Sequence, residues 1–242
     1  MKKLLFILLL LPLFTKAQFP IVNGWKQFKS PLQISGCTLW LSADSISGKS
    51  NNDTLGRWRD LSGNNNDAVQ ANILLKPVYL TNVINSKPVV NFTQASTQYM
   101  ISTLASTQPY SLFIVCRSGV GAGNQYFIDG IALNAGVMSG GASNNTFTMF
   151  SGNVLSASAT PTNFNYVCGI YDGVSSILTI NGSATTGNVG SSNTLGMTIG
   201  ANGVASGQFL NGDIAEIIVY NSHLSVTNRQ KVENYLKTKY AL

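Results

Sequence analysis

A chain of 242 residues that is 44% hydrophobic has apolar material for one large all-β domain or two small ones. Only 10% of it is charged, and Asn, Ser, Thr and Gly supply the polarity, which favours short strands joined by turns over helices. The formal net charge of +6 halves once Lys2, Lys3 and Lys16 are set apart as leader residues, and the other basic residues are scattered except for Lys231, Lys237 and Lys239, so nucleic acid is not an expected partner.

Residues 1–17 read as a cleavable signal peptide: a charged start at Lys2 and Lys3, an apolar run from Leu4 to Leu11, and a small-residue close at Ala17. The run is shorter than the roughly 20 residues that span a bilayer. No cysteine follows it before Cys37, so a lipid anchor is not expected. The protein is therefore expected to be secreted, cell-surface or periplasmic, with no stable membrane insertion after leader cleavage. Residues 18–37 mix Pro20, Gly24, Pro31 and Gly36 with isolated aromatics and read as a lead-in arm.

Regular patterning begins at Thr38 to Ser42, where Trp40 is expected in the core. A polar loop leads to the most distinctive stretch, Trp58 to Ala68. Short strand-like runs follow at 77–80, 88–92 and 98–101. Ser111 to Arg117 is continuously apolar apart from its ends, as expected of a strand buried on both faces. Further runs lie at 126–128, 146–150, 164–171, 177–180 and 197–199, with hairpin turns at Asp172-Gly173 and Asn181-Gly182. Asp213 to Tyr220 is another strong strand. Ser225 then caps one helix reaching about Tyr240, with Val232, Tyr235, Leu236 and Tyr240 on one face. The three cysteines, Cys37, Cys116 and Cys168, read as small buried hydrophobes, with a Cys116 to Cys168 bridge as the alternative.

A dozen short strands and one terminal helix indicate a single all-β sandwich over residues 38–242. Three stretches, Leu39 to Asp44 with Trp58 to Asp67, Pro88 to Phe92, and Gly212 to Tyr220 with its following helix, resemble the laminin G-like domains of secreted bacterial proteins. The resemblance implies a concanavalin A-like jelly roll of two antiparallel sheets with one C-terminal α-helix. It also implies a sugar-binding, adhesive or accessory role, calcium in some members, and catalysis in some relatives. Residues 93–98 depart from the family by lacking its acid and glycine, so no role attached to that acid carries over.

In the Trp58 loop, Asp60, Asn64, Asn66 and Asp67 could supply oxygens to a calcium ion. The competing reading is a turn scaffold in which Asp60 accepts from nearby amides. The glycine-rich loops at 119–123 and 140–145 could form one wall of a ligand groove. Asn124, Asn144 and Asn145 would meet sugar hydroxyls there, and Tyr126 or Phe147 would stack on a pyranose.

Asp213 and Glu216 lie three apart in a strand, which places them on opposite faces and argues against a paired-carboxylate glycosidase. Glu216 reads as a buried or rim acid held by a basic group such as Arg229. His223 reads as a solvated turn residue, and no catalytic triad or zinc site is visible. The leading expectation is an exported, non-catalytic carbohydrate-binding or adhesive module that meets a glycan or a cell-surface protein. The alternatives are a glycan-active hydrolase or lyase drawing on Asp129 or Asp172 with Glu216, and a structural subunit of a surface assembly.

Overall fold

Two kinds of strand sequence set the architecture, one continuously apolar and one alternating. The computed structural model describes residues 28–119, 124–131, 135–141 and 145–242, so the leader and the first half of the lead-in arm lie outside the described residues. Sheet A comprises β1 (Cys37–Ser42), β2 (Asp53–Thr54), β5 (Val78–Ile84), β6 (Lys87–Phe92), β8 (Tyr110–Ser118), β13 (Asn165–Tyr171), β14 (Ser176–Ile180), β15 (Ser183–Gly187) and β17 (Gly212–Tyr220). Its order is β15-β14-β13-β8-β17-β6-β5-β2, and β1 also pairs with β17. Sheet B comprises β3 (Arg57–Trp58), β4 (Ala68–Val69), β7 (Met100–Ser102), β9 (Gln125–Gly130), β10 (Val137–Gly141), β11 (Thr146–Phe150), β12 (Val154–Ser158) and β16 (Met197–Ile199). Its order is β12-β11-β10-β9-β16-β7-β4-β3, and the pairings in both sheets are antiparallel. One helix, α1 (Val226–Tyr240), follows the last strand. The result is the expected β-sandwich with a single C-terminal helix.

The continuously apolar strands β8 and β17 lie at the centre of sheet A because both of their faces are covered. Their inner face meets sheet B across a core that includes Leu41, Phe92, Ile114, Phe127 and Ile217. Their outer face meets α1 through Phe113, Val115, Ile218, Val232 and Leu236. Each such side chain contributes about 1.5–3 kcal/mol by leaving water. Sheet B has no helix on its outer face, so β11 alternates between buried Phe147 and Met149 and half-buried Thr146, Thr148 and Phe150.

The same alternation decides the cysteine question. Cys116 points into the core between the sheets and Cys168 points towards α1, on opposite faces of adjacent strands. All three thiols are free, and the Cys116 to Cys168 bridge is excluded by geometry. Burial first, and the charge of Asp60 second, push the half-buried Cys37 thiol up to about 12.

The helix and one hairpin follow their local signals. Ser225 Oγ accepts from the Asn228 amide at 3.4 Å, and Val232, Leu236 and Tyr240 are buried as their spacing requires. Asn181 and Gly182 both adopt positive φ, 50° and 87°, which closes the β14–β15 hairpin.

The helix also buries an unforeseen ion pair. Arg229 Nε and Glu233 Oε1 stand 3.6 Å apart, both buried and neither completing a hydrogen bond, while Arg229 donates to Thr179 Oγ1 at 2.9 Å. Desolvation raises the Glu233 carboxyl above its usual value despite the nearby Arg229 charge. The folded state therefore holds that proton to higher pH than the unfolded chain does. Stability is lost as pH climbs from the unfolded pKa through the raised folded one. Replacing the pair by Arg229→Met with Glu233→Leu is expected to leave the fold as stable or up to roughly 3 kcal/mol more stable, and to flatten that pH slope. Urea unfolding at pH 5 and pH 8 checks this, and a double variant that loses stability at both pH values would refute it.

Strict alternation fails at one place that matters. The β17 register slips between Ile214 and Glu216 against β8, the mark of a β-bulge. Ile214 and Ile217 face the inner core, so Ala215 and Glu216 both turn towards α1. Asp213, paired across the strands with Asn91 and Arg117, lies on that same outer face. The expectation that Asp213 and Glu216 occupy opposite faces is thus corrected: one extra residue puts them on the same face.

Candidate functional site

The Trp58 loop is a fastener for β1. Asp60 Oδ1 accepts from the Trp40 and Ser62 amides at 3.0 and 2.8 Å, and Oδ2 accepts from Ser62 Oγ and the Asn66 amide at 2.7 and 3.0 Å. Asn64 and Asn66 donate their side-chain amides to the Cys37 and Thr38 carbonyls, at 3.1 and 2.9 Å. Asp67 accepts from the Asp60 amide at 2.7 Å and pairs with Arg57 at 2.5 Å. The four candidate calcium residues do converge, but each Asp60 oxygen already has two protein donors aimed at it. That donor set fits a turn scaffold rather than a cation shell, whose ligands must turn lone pairs towards one shared point. Trp58 is fully buried beneath the loop.

The proposed groove wall is dispersed. Phe147 is fully buried and stacked on Phe127 with centroids 5.7 Å apart, so it is core and not a sugar platform. The period-two pattern of β11 assigned it to the inner face, a signal overlooked in favour of its nearby turn residues. Tyr126 is half-buried on β9, its amide donating to the Gln208 carbonyl at 3.0 Å, and Asn124 immediately precedes that strand. Asn145 is an exposed positive-φ residue, φ 47°, whose carbonyl accepts from Ala159 at 2.9 Å. Asn144 lies outside the described residues.

The carboxylates considered for catalysis stand apart. Glu216 is fully buried under α1. Its Oε1 accepts from Trp40 Nε1 at 2.6 Å and Tyr235 at 3.0 Å, and its Oε2 from Lys239 at 2.8 Å and Tyr240 at 2.7 Å. Its basic partner is Lys239, not Arg229, because Arg229 sits nearly three turns earlier on the helix beside Glu233. Trp40 is accordingly a half-buried donor on the outer face. Burial, then the Glu216 charge, hold the Tyr235 and Tyr240 phenols well above their usual range, so both remain donors. Asp129 is fully buried in sheet B, accepting the Ala135 and Gly203 amides at 3.1 and 2.8 Å. Asp172 meets His223 Nδ1 at 2.7 Å on the surface, so the turn histidine has a partner. Among the described residues, the hydrogen-bond partners of Glu216, Asp129 and Asp172 named above are all different.

What the structure does bring together is a cleft between the free edge of β12 and the β14–β15 hairpin, 630 Å³ in volume. Its lining includes Ser183 and Thr185, which share the inner face of their hairpin with Leu178 and Ile180, together with Phe164 and the edge of β12 from Ser156 to Ala159, whose Ser156 and Ser158 side chains lie on the outer face of sheet B. Ser158, Ser183 and Thr185 make no side-chain hydrogen bond among the described residues, whereas Ser156 shares a 2.8 Å bond with Thr148. Asn181 donates to Asn165 Oδ1 at 2.8 Å, and Asn165 holds the Thr160 and Asn163 carbonyls at 3.1 and 2.7 Å, which stiffens that lining. The lining contains no ionisable side chain. Of the foreseen residues only Asn145 adjoins it, through Ala159. Ser183 and Thr185, polar on the face of β15 that pairs with inward Ile180 and Leu178, were the available signal. Their sharing of one cleft with β12 depends on sheet order, which local pattern does not carry.

Neither a family model nor a curated protein matches this chain. Solved structures do. The Trypanosoma rangeli sialidase is similar to it at a TM-score of 0.57 and 12% identity, over 85% of this chain and 33% of that one. The binding domain of botulinum neurotoxin DC, solved in complex with SialylT, reaches 0.56 and 13% over 84% and 52%. The binding domain of Paraclostridial Mosquitocidal Protein 1 reaches 0.59 and 9% over 83% and 52%. The likeness is one of fold. This chain spans about a third to a half of the length of those proteins.

Proposed function

We propose that the protein is an exported carbohydrate-binding module of the laminin G-like kind, and that the β12/β15 cleft is its non-catalytic binding site. The observation that carries this reading is the cleft lining itself: the unpartnered hydroxyls of Ser183 and Thr185, the fixed amides of Asn165 and Asn181, and an aromatic residue, Phe164. Hydroxyl and amide groups of this kind exchange hydrogen bonds with sugar hydroxyls, and an aromatic side chain adds apolar contact. General acid–base cleavage of a glycosidic bond uses a pair of carboxyl groups, and the lining supplies none. Support at the level of ligand class comes from neighbours solved in complex with sialic acid and with SialylT.

The test is a glycan array probed with the full chain, with and without calcium, alongside Ser183→Trp. Ser183 is exposed and lies beside inward-facing Ile180, so the indole should fill the cleft without disturbing the core. Binding to at least one glycan class is expected, with a loss of tenfold or more in the variant and no change on adding calcium. Silence of the wild-type chain under both conditions, or undiminished binding by Ser183→Trp, would reject the assignment.

A further inference from the structure

Beside the cleft, where α1 stops covering sheet A, lies a second recess of 300 Å³ lined by Asn91, Arg117, Thr162 and Asp213. The segment 160–164 separates the two, contributing Thr160, Asn163 and Phe164 to the cleft and Thr162 to the recess. Phe164 joins them: it lines the cleft, and the Arg117 guanidinium lies over its ring, 4.5 Å from the centroid. Arg117 and Asp213 are the only ionisable residues in either lining, and they are unequally placed. The Asp213 side chain is 3% exposed and the Arg117 side chain 41%.

The buried acid fixes the base. Asp213 Oδ2 takes Arg117 Nε at 2.6 Å, and Asp213 Oδ1 accepts from Asn91 Nδ2 at 2.7 Å. With Nε engaged by Asp213 and its carbon held over the Phe164 ring, the guanidinium is fixed at two points. Its two Nη groups make no hydrogen bond among the described residues. A guanidinium fork with its Nη groups to spare matches two oxygens of one anionic group. We infer that Arg117 makes the recess an anion-reading subsite, so that the glycan bound in the neutral cleft carries a carboxylate or sulfate on the unit reaching past Phe164. Asp213 is then a positioning residue. This inference rests on the cleft being a glycan site.

The experiment uses an array of oligosaccharides of several backbones, each in neutral, uronate-bearing and sulfated form, with titrations on the best matched set. The wild-type chain is expected to favour an anionic member about tenfold over its neutral counterpart at low salt, with less preference at high salt. Whether the uronate or the sulfate arm shows the preference identifies the group. Arg117→Gln is expected to bring the ratio to about one while neutral binding changes less than twofold. Should that variant unfold, Arg117→Lys retains the charge without the fork and is expected to lose most of the preference. Equal binding of neutral and anionic members by the wild type overturns the subsite and leaves the cleft standing. Binding of neither overturns the cleft. A folded Arg117→Gln chain that loses neutral and anionic ligands alike, or an Arg117→Lys chain with full preference, also overturns the anion-reading role.

Discussion

Glu216→Leu is expected to destabilise the fold by about 3–5 kcal/mol, a fall in melting midpoint of roughly 10 °C. The cost arises from what is stranded. Trp40 Nε1, the Tyr235 and Tyr240 hydroxyls and the Lys239 ammonium all aim at one fully buried carboxylate. Leucine leaves those donors facing a hydrocarbon, and Lys239, itself nearly buried, keeps only Asp44, Ser42 and Tyr235. Adding Lys239→Met should recover at least about 1 kcal/mol, since the orphaned cation is then gone. Urea unfolding of both variants followed by tryptophan fluorescence measures this, and a single-variant loss below about 1 kcal/mol would show that the network is not what holds α1 down. The network also has an acid limit. Burial works to raise the Asp44 carboxyl, but the Ser42 hydroxyl and Lys239 outweigh it and hold the group below its usual value. Its stabilisation is present above the unfolded pKa and is lost as pH falls towards the folded one.

Asp60→Ala should cost about 3 kcal/mol, because three backbone amides and the Ser62 hydroxyl lose their acceptor at once while β1 loses its anchor to the loop. Asp60→Asn should fall between, since its amide group must turn donors towards donors. In wild-type protein, millimolar calcium is expected to leave the melting midpoint unchanged. A shift of several degrees with calcium, abolished by Asp60→Asn, would show that the loop holds an ion. Thermal melts of the three proteins in chelator and in calcium distinguish the outcomes.

Much of the architecture was legible from the chain alone because its signals are local. The unbroken apolar runs of β8 and β17 announced two-sided burial, and Ser225, Asn181 and Gly182 marked a helix start and a hairpin turn with the chemistry those positions demand. What escaped depends on long-range pairing. Glu216 reaches α1 and its Lys239 because a bulge re-aims the acid, and a bulge is a property of two strands in register, not of one. The cleft was missed for the same reason: β12 and the β14–β15 hairpin become neighbours only when the sheets stack. Phe147 was misread although its strand alternates plainly, because flanking Asn and Gly residues drew attention to the surface.

The bulge at Ala215 acts as a change of parity along β17. Before it, even-numbered residues point inwards; after it, odd-numbered ones do. Two chemically different regions, the recess around Asp213 and the sealed carboxylate at Glu216, are thereby hung on one side of a single strand. Removing Ala215 would leave Asp213 and Glu216 two residues apart in a regularly alternating strand, and both acids would stay on the outer face. Flattening the bulge with Ala215 retained would instead turn either Glu216 or Asp213 into the hydrocarbon between the sheets, and no rotamer change could rescue both.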